Sequence, residues 1–187
     1  MRIVDLAAAG DDAVRQAASI LHDTLPEGWP EFEAALAEVR ACFAPDRISR
    51  AAVEGDEVVG WVGGLKRYDG NAWELHPLAV KHGRQRQGIG SALVADLEER
   101  VLEQGAHTVF LGADDLRDQT SLAAIDLYPD PLSHLQNIRN LNGHQYEFYQ
   151  KLGYVIVGVV PDANGFGKPD IFMAKRIRPA QPEGAKP

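Results

Sequence analysis

Two glycines close the run Gln85-Arg86-Gln87-Gly88-Ile89-Gly90, which lies between a β-rich stretch ending at Val80 and a helical stretch beginning at Ser91. Glycine lets the backbone approach a ligand closely, and a helix starting here directs unpaired N–H groups and the positive end of its dipole outward. The chemistry this spacing predicts is capture of an anion, in the manner of a pyrophosphate cradle. Upstream, Glu74 and His76 are one residue apart in a predicted strand, so alternation places both on one face together with Leu78. Either a carboxylate or an imidazole there accepts a proton from a reacting group, directly or through water. Each also has an ordinary role open to it: Glu74 as an exposed or ion-paired strand residue, His76 as a hydrogen-bonded structural residue ahead of Pro77.

The elements that must position these groups follow from the hydrophobic pattern. Residues 2–6 read as a first strand, and Asp11 and Asp12 supply capping and first-turn carboxylates for a helix through about Leu21. Pro30 fits the first position of a second helix, with Phe32, Leu36, Val39 and Phe43 as its apolar stripe. Strands over 48–53 and 58–65 flank the hairpin signal Glu54-Gly55-Asp56-Glu57, and a third runs over 72–80. Leu93, Val94, Leu97 and Val101 form a helical face ended by Gly105, and residues 108–111 read as a buried strand. The polar, proline-punctuated segment 112–143 reads as an elaborated loop with short helical pieces. A short helix (145–152), a strand (154–160), a turn at Asp162-Ala163-Asn164-Gly165 and a last strand (170–175) complete the pattern.

A 187-residue chain with 45% hydrophobic content suits one domain with a real core, here taken as residues 1–177, followed by a Pro-rich tail over 178–187 that reads as disordered. The lone Cys42 excludes an intrachain disulfide and sits on an apolar helix face, which favours a core role over a nucleophilic one. No signal peptide and no membrane-length apolar run is present, so a cytoplasmic, soluble protein without membrane partners is expected. A formal charge of −8 disfavours general nucleic-acid binding and would attract a cationic small molecule, while solubility alone equally accounts for it. The six histidines are scattered, and no metal site is expected. A Rossmann site is excluded because the third glycine is missing and the preceding strands are hairpin-linked. Gly165-Phe166-Gly167-Lys168 follows a turn and precedes Pro169, which makes it a hairpin and not a phosphate loop.

The order of these features resembles the GNAT superfamily of N-acetyltransferases over most of the chain. The family's Gln/Arg-x-x-Gly-x-Gly/Ala loop falls on Gln85, Gly88 and Gly90, preceded by the apolar strand end Leu78-Ala79-Val80. A second family segment appears as Asn142-Gly143-His144-Gln145-Tyr146-Glu147-Phe148-Tyr149-Gln150-Lys151-Leu152-Gly153-Tyr154, with Gln145 where the family often has Ala. The resemblance implies an α+β (α/β) fold: a central, mostly antiparallel mixed sheet of six to seven strands flanked by helices. It implies acetyl-CoA as cosubstrate, bound by Leu78, Ala79, Val80, Gln85, Arg86, Gln87, Gly88, Ile89, Gly90, Ser91, Asn142 and Tyr149. It also places Tyr149 as the general acid that protonates the departing thiolate, with a core aromatic as its alternative role.

Within the superfamily, the runs Trp73-Glu74-Leu75-His76-Pro77-Leu78, Leu111-Gly112-Ala113-Asp114-Asp115 and Lys168-Pro169-Asp170-Ile171-Phe172-Met173-Ala174-Lys175 are similar to aminoglycoside 6′-N-acetyltransferases. The resemblance implies direct acetylation of the 6′-amine of an aminoglycoside in a ternary complex, and thereby antibiotic resistance. Glu27, Trp29, Glu74, Asp114, Asp115 and Asp118 are the candidate acceptor-lining residues, and Glu74, His76, Asp114 and Asp115 the candidate bases. Asp114 and Asp115, following the strand ending at Leu111, also suit plain loop or capping roles. Two other functions remain open: transfer to another small-molecule or peptide amine, and a noncatalytic acyl-CoA sensor. A homodimer through residues 171–174 is equally open to explanation by burial within one chain.

Overall fold

The computed structural model describes residues 1–179, and the greater part of the expected tail lies outside them. By its internal contacts the chain divides into two compact units, Met1–Val109 with the residues from Ile177, and Phe110–Arg176.

In the first unit, β1 (Arg2–Asp5), β2 (Arg47–Glu54), β3 (Glu57–Arg67) and β4 (Ala72–Val80) form an antiparallel meander in chain order. Helix α1 (Asp11–Thr24) runs a turn past Leu21, and its N-cap is Gly10 at φ +91, with Asp11 and Asp12 as first-turn carboxylates. Helix α2 begins later than expected. It spans Phe32–Ala41 behind the extended residue Glu31, so Pro30 precedes the helix and Phe43 lies beyond it, partly exposed. Leu36 and Val39 join Leu21, Trp61 and Cys42 in a core between these two helices and the sheet.

Helix α3 (Ile89–Glu103) packs against β2, β3 and β4, with Gly105 at φ +88 just past its end. Glycines in β3 make that approach possible. A Cβ on Gly60 would meet Leu93 Cδ1 at 3.0 Å, and one on Gly64 would meet Leu97 Cδ1 at 2.7 Å.

The pairing of β3 with β4 is interrupted once. Val62 lies opposite Leu78 and Gly64 opposite Leu75, so His76 and Pro77 together face Gly63. This is a β-bulge, and it accommodates a proline that has no N–H for the ladder. It also corrects the expected alternation. Leu75 and Leu78 share a face with Gly60, Val62 and Gly64, toward α3, whereas Glu74 pairs with Leu65 on the opposite face. Leu78 therefore does not share the face of Glu74, because one inserted residue reverses the side on which the following residues project.

The chain passes to the second unit within β5 (Thr108–Asp114), which extends three residues beyond Leu111 and takes in Asp114. Of the long segment that follows, only α4 (Pro131–Gln136) is regular, capped by Asp130 on Ser133 N–H. Helix α5 (Tyr146–Lys151), β6 (Val155–Val160) and β7 (Asp170–Arg176) follow, in strand order β5-β7-β6. β7 is thus an interior strand whose Ile171 and Met173 are fully buried, and the edge belongs to β6. Among the described residues, seven strands with flanking helices give the expected α+β class.

Candidate active site

The anion loop is shaped by two residues of positive φ, Arg86 (+63) and Gly88 (+84), the latter forming the N-cap of α3. The first backbone hydrogen bond of α3 runs from Ala92 N–H to the Gly88 carbonyl. Ile89, Gly90 and Ser91 consequently present N–H groups with no partner inside the helix, where the dipole favours negative charge. The loop's own side chains stiffen it: Gln85 donates to the Val80 carbonyl at 3.1 Å, Gln87 donates to the Gly83 carbonyl at 3.1 Å, and Arg84 pairs with Glu54 at 2.7 Å. Gln85 thereby ties the loop to the end of β4, where Leu78 and Val80 are half-buried and Ala79 is buried.

On β4, Arg67 grips Glu74 Oε2 from Nε at 2.9 Å and from a terminal nitrogen at 2.8 Å. Arg67 was not anticipated, although it stands across the β3–β4 turn from Glu74. His76 is exposed, its ring 5.6 Å from that of Trp29. Trp29 and Glu27 lie on the loop between α1 and α2, Trp29 half-buried and Glu27 exposed.

In the second unit, the acidic candidates separate into different roles. Asp115 is fully buried, accepting from Gln119 N–H at 2.7 Å and Thr120 N–H at 2.8 Å. Both oxygens are committed to the backbone, so Asp115 anchors a loop and presents no carboxylate to a ligand. Asp114 is exposed and accepts from Asn164 Nδ2 at 2.5 Å. Asp118 is exposed and pairs with Lys168 at 2.6 Å. Asn142 donates to the Asp118 carbonyl at 3.2 Å, which makes it a closing bond of the same loop.

His144 was missed by sequence reasoning and organises this region. It is 2% exposed, accepts from Tyr146 N–H at Nδ1, and donates from Nε2 to the Asp114 carbonyl. Burial holds its pKa below the ordinary imidazole range. The only sequence signal for it was a histidine inside the second family segment.

Tyr149 is 5% exposed, edge-on to both Phe148 and Tyr154 at centroid distances of 5.0 and 5.7 Å. Burial raises its phenol above the usual tyrosine value, so the hydroxyl keeps its proton at neutral pH. Cys42 is a core residue whose thiol is pushed up to about 11, by burial and then by Glu38, which leaves no thiolate for nucleophilic chemistry. Among the described residues, no group of three or more His, Cys, Asp or Glu could hold a metal ion.

With this geometry in place, comparison with known proteins is decisive. Residues 14–130 match the acetyltransferase (GNAT) family. The chain belongs to that family. Among solved structures, this GNAT acetyltransferase is similar to an aminoglycoside 6′-N-acetyltransferase complexed with coenzyme A, at 42% identity and TM-score 0.91, covering 97% of this chain and 99% of that one. It is also similar to the aminoglycoside 6′-N-acetyltransferase from Enterococcus faecium, at 42% identity, TM-score 0.89 and the same coverage. A third, aminoglycoside 6′-acetyltransferase type Ii, shares 38% identity with TM-score 0.74, over 97% of this chain and all of that one. A comparison with curated proteins returned no match.

Proposed function

We propose that this GNAT acetyltransferase moves the acetyl group of acetyl-CoA to the 6′-amine of an aminoglycoside by direct transfer in a ternary complex. The observation that carries this reading is the 42% identity, over nearly the whole chain, to aminoglycoside 6′-N-acetyltransferases. Acetyl-CoA supplies an activated acyl group, and the open N–H groups of Ile89, Gly90 and Ser91 fit its pyrophosphate. The backbone at Leu78, Ala79 and Val80 is assigned to the pantetheine arm.

On the acceptor side, the carboxylate of Glu74, ion-paired with Arg67, is the group that meets an ammonium of the acceptor. His76, exposed on β4, takes the proton that the amine loses as its nitrogen bonds to the acetyl carbon. Tyr149 gives a proton to the sulfur as the carbon–sulfur bond breaks, which leaves an amide and a free thiol. The net negative charge of the chain draws in a polycationic acceptor. Acetylation neutralises one amine of the antibiotic, which is the basis for a resistance role.

No helix of the described residues is long and apolar enough to cross a membrane. We place the reaction in the cytoplasm, with no nucleic-acid or membrane partner. For a homodimer, β6 is the strand to consider: it is an edge, and Val155 and Val157 are 62% and 58% exposed. Light scattering would read its mass.

The deciding experiment is free-thiol release from acetyl-CoA with 6′-amino aminoglycosides, matched 6′-hydroxyl compounds, polyamines and peptide amines. Release confined to the 6′-amino compounds supports the proposal. Release only with polyamines or peptides reassigns the acceptor, and binding of acetyl-CoA without release to any amine replaces the enzyme with a sensor.

A further inference from the structure

We propose that His22 is a positioning residue that holds Trp29 beside His76 as an aromatic wall for the ring of the amine acceptor, an inference that rests on the proposed acetyl transfer. Trp29 lies outside regular structure, yet its backbone is fixed at both polar groups. Its N–H donates to the Leu25 carbonyl at 3.1 Å, and its carbonyl accepts from His22 Nδ1 at 3.0 Å. A carbonyl only accepts, so His22 carries a proton on Nδ1. His22 stands in the last turn of α1, and α1 packs on β3 and β4. The bond therefore ties the loop to the rigid part of the first unit. A second histidine, His82, bonds the Asp23 carbonyl in the last turn of α1, just ahead of the same loop, at 3.0 Å.

The consequence is a fixed indole. Trp29 packs partly on the core of α1, α2 and the sheet, and sets its ring at 46° to that of His76. Glu74, two residues before His76, carries its charge on that side of β4. A flat apolar surface next to a carboxylate suits an amino-sugar ring, which has an apolar C–H face and an ammonium group at its rim.

The test separates the clasp from the acceptor assignment. Trp61 and Trp73 are buried, at 0% and 3% exposure, so the difference in acrylamide quenching between the wild type and Trp29→Phe reports on Trp29. His22→Ala should raise that quenching, and His22→Asn, whose Nδ2 can take the place of the imidazole N–H, should restore it. In the thiol-release assay, loss of one neutral hydrogen bond predicts a KM for the aminoglycoside about two- to tenfold higher in His22→Ala. The KM for acetyl-CoA and kcat should stay near wild type, and His22→Asn should recover the acceptor KM. Unchanged quenching in His22→Ala overturns the clasp, and raised quenching with an unchanged acceptor KM overturns the wall. If the wild type transfers to no amine, the transfer reading fails by itself while quenching still decides the clasp.

Discussion

Gly63→Ala is the most direct probe of how the fold builds the β4 side of the site. A Cβ at this position would sit 2.4 Å from the His76 carbonyl oxygen, 3.1 Å from Cys42 Sγ and 3.2 Å from the His76 carbonyl carbon. Real Cβ atoms essentially never come closer than 3.0 Å to a neighbour, so the bulge must retreat by at least about 0.6 Å. The displaced group is backbone, which cannot rotate out of the way as a side-chain tip would. Overpacking of this kind costs about 1–3 kcal/mol of stability. A shift of that size at a reacting residue costs roughly ten- to a hundredfold in kcat/KM. Urea unfolding measures the first and thiol release the second. Gly158→Ala, where nothing lies within 4 Å of the added Cβ, is the control and should stay within about 0.5 kcal/mol of wild type. If Gly63→Ala matches Gly158→Ala in both stability and activity, the bulge does not hold His76 in a working position.

Four further outcomes are expected. Tyr149→Phe should lower kcat by about a hundredfold with acetyl-CoA affinity retained by calorimetry, and unchanged turnover would remove Tyr149 as the acid. Because burial raises the Tyr149 pKa, the protein should lose stability as pH climbs above about 10, where the unfolded chain ionises first; Tyr149→Phe should show a shallower loss. Gly88→Val forces a β-branched residue into φ +84 at the mouth of α3, and a calorimetric affinity for acetyl-CoA less than about tenfold weaker than wild type would contradict the loop assignment. His144 has a depressed folded-state pKa, so the stability it confers is present above about pH 6.5 and is lost as pH falls through its folded value. His144→Gln, which offers a donor and an acceptor without titrating, should flatten the fall in urea midpoint between pH 7.5 and 5; equal slopes would reject that origin.

Sequence by itself determined the parts that depend on local pattern. The strand over Ala72–Val80 and the helical face of Leu93, Leu97 and Val101 follow from periodicity, and the Gln85–Gly90 motif from glycine spacing at a strand-to-helix junction. The family followed from two motifs in order. Only the tertiary structure decided the β4 bulge, because its cause lies partly on another strand: Gly63 leaves room for a carbonyl, and Pro77 has no N–H to pair. That single insertion separated Leu78 from Glu74. The partner that holds Glu74, Arg67, likewise emerged only when β3 folded back on β4. The fate of Asp115 was invisible for a related reason. Asp114 and Asp115 are adjacent and chemically identical in the sequence, but the chain turns after β5 so that Asp115 meets two backbone N–H groups and Asp114 faces water. A carboxylate's role is set by the donors that surround it, and those are fixed by the path of the whole chain, not by its neighbours in sequence.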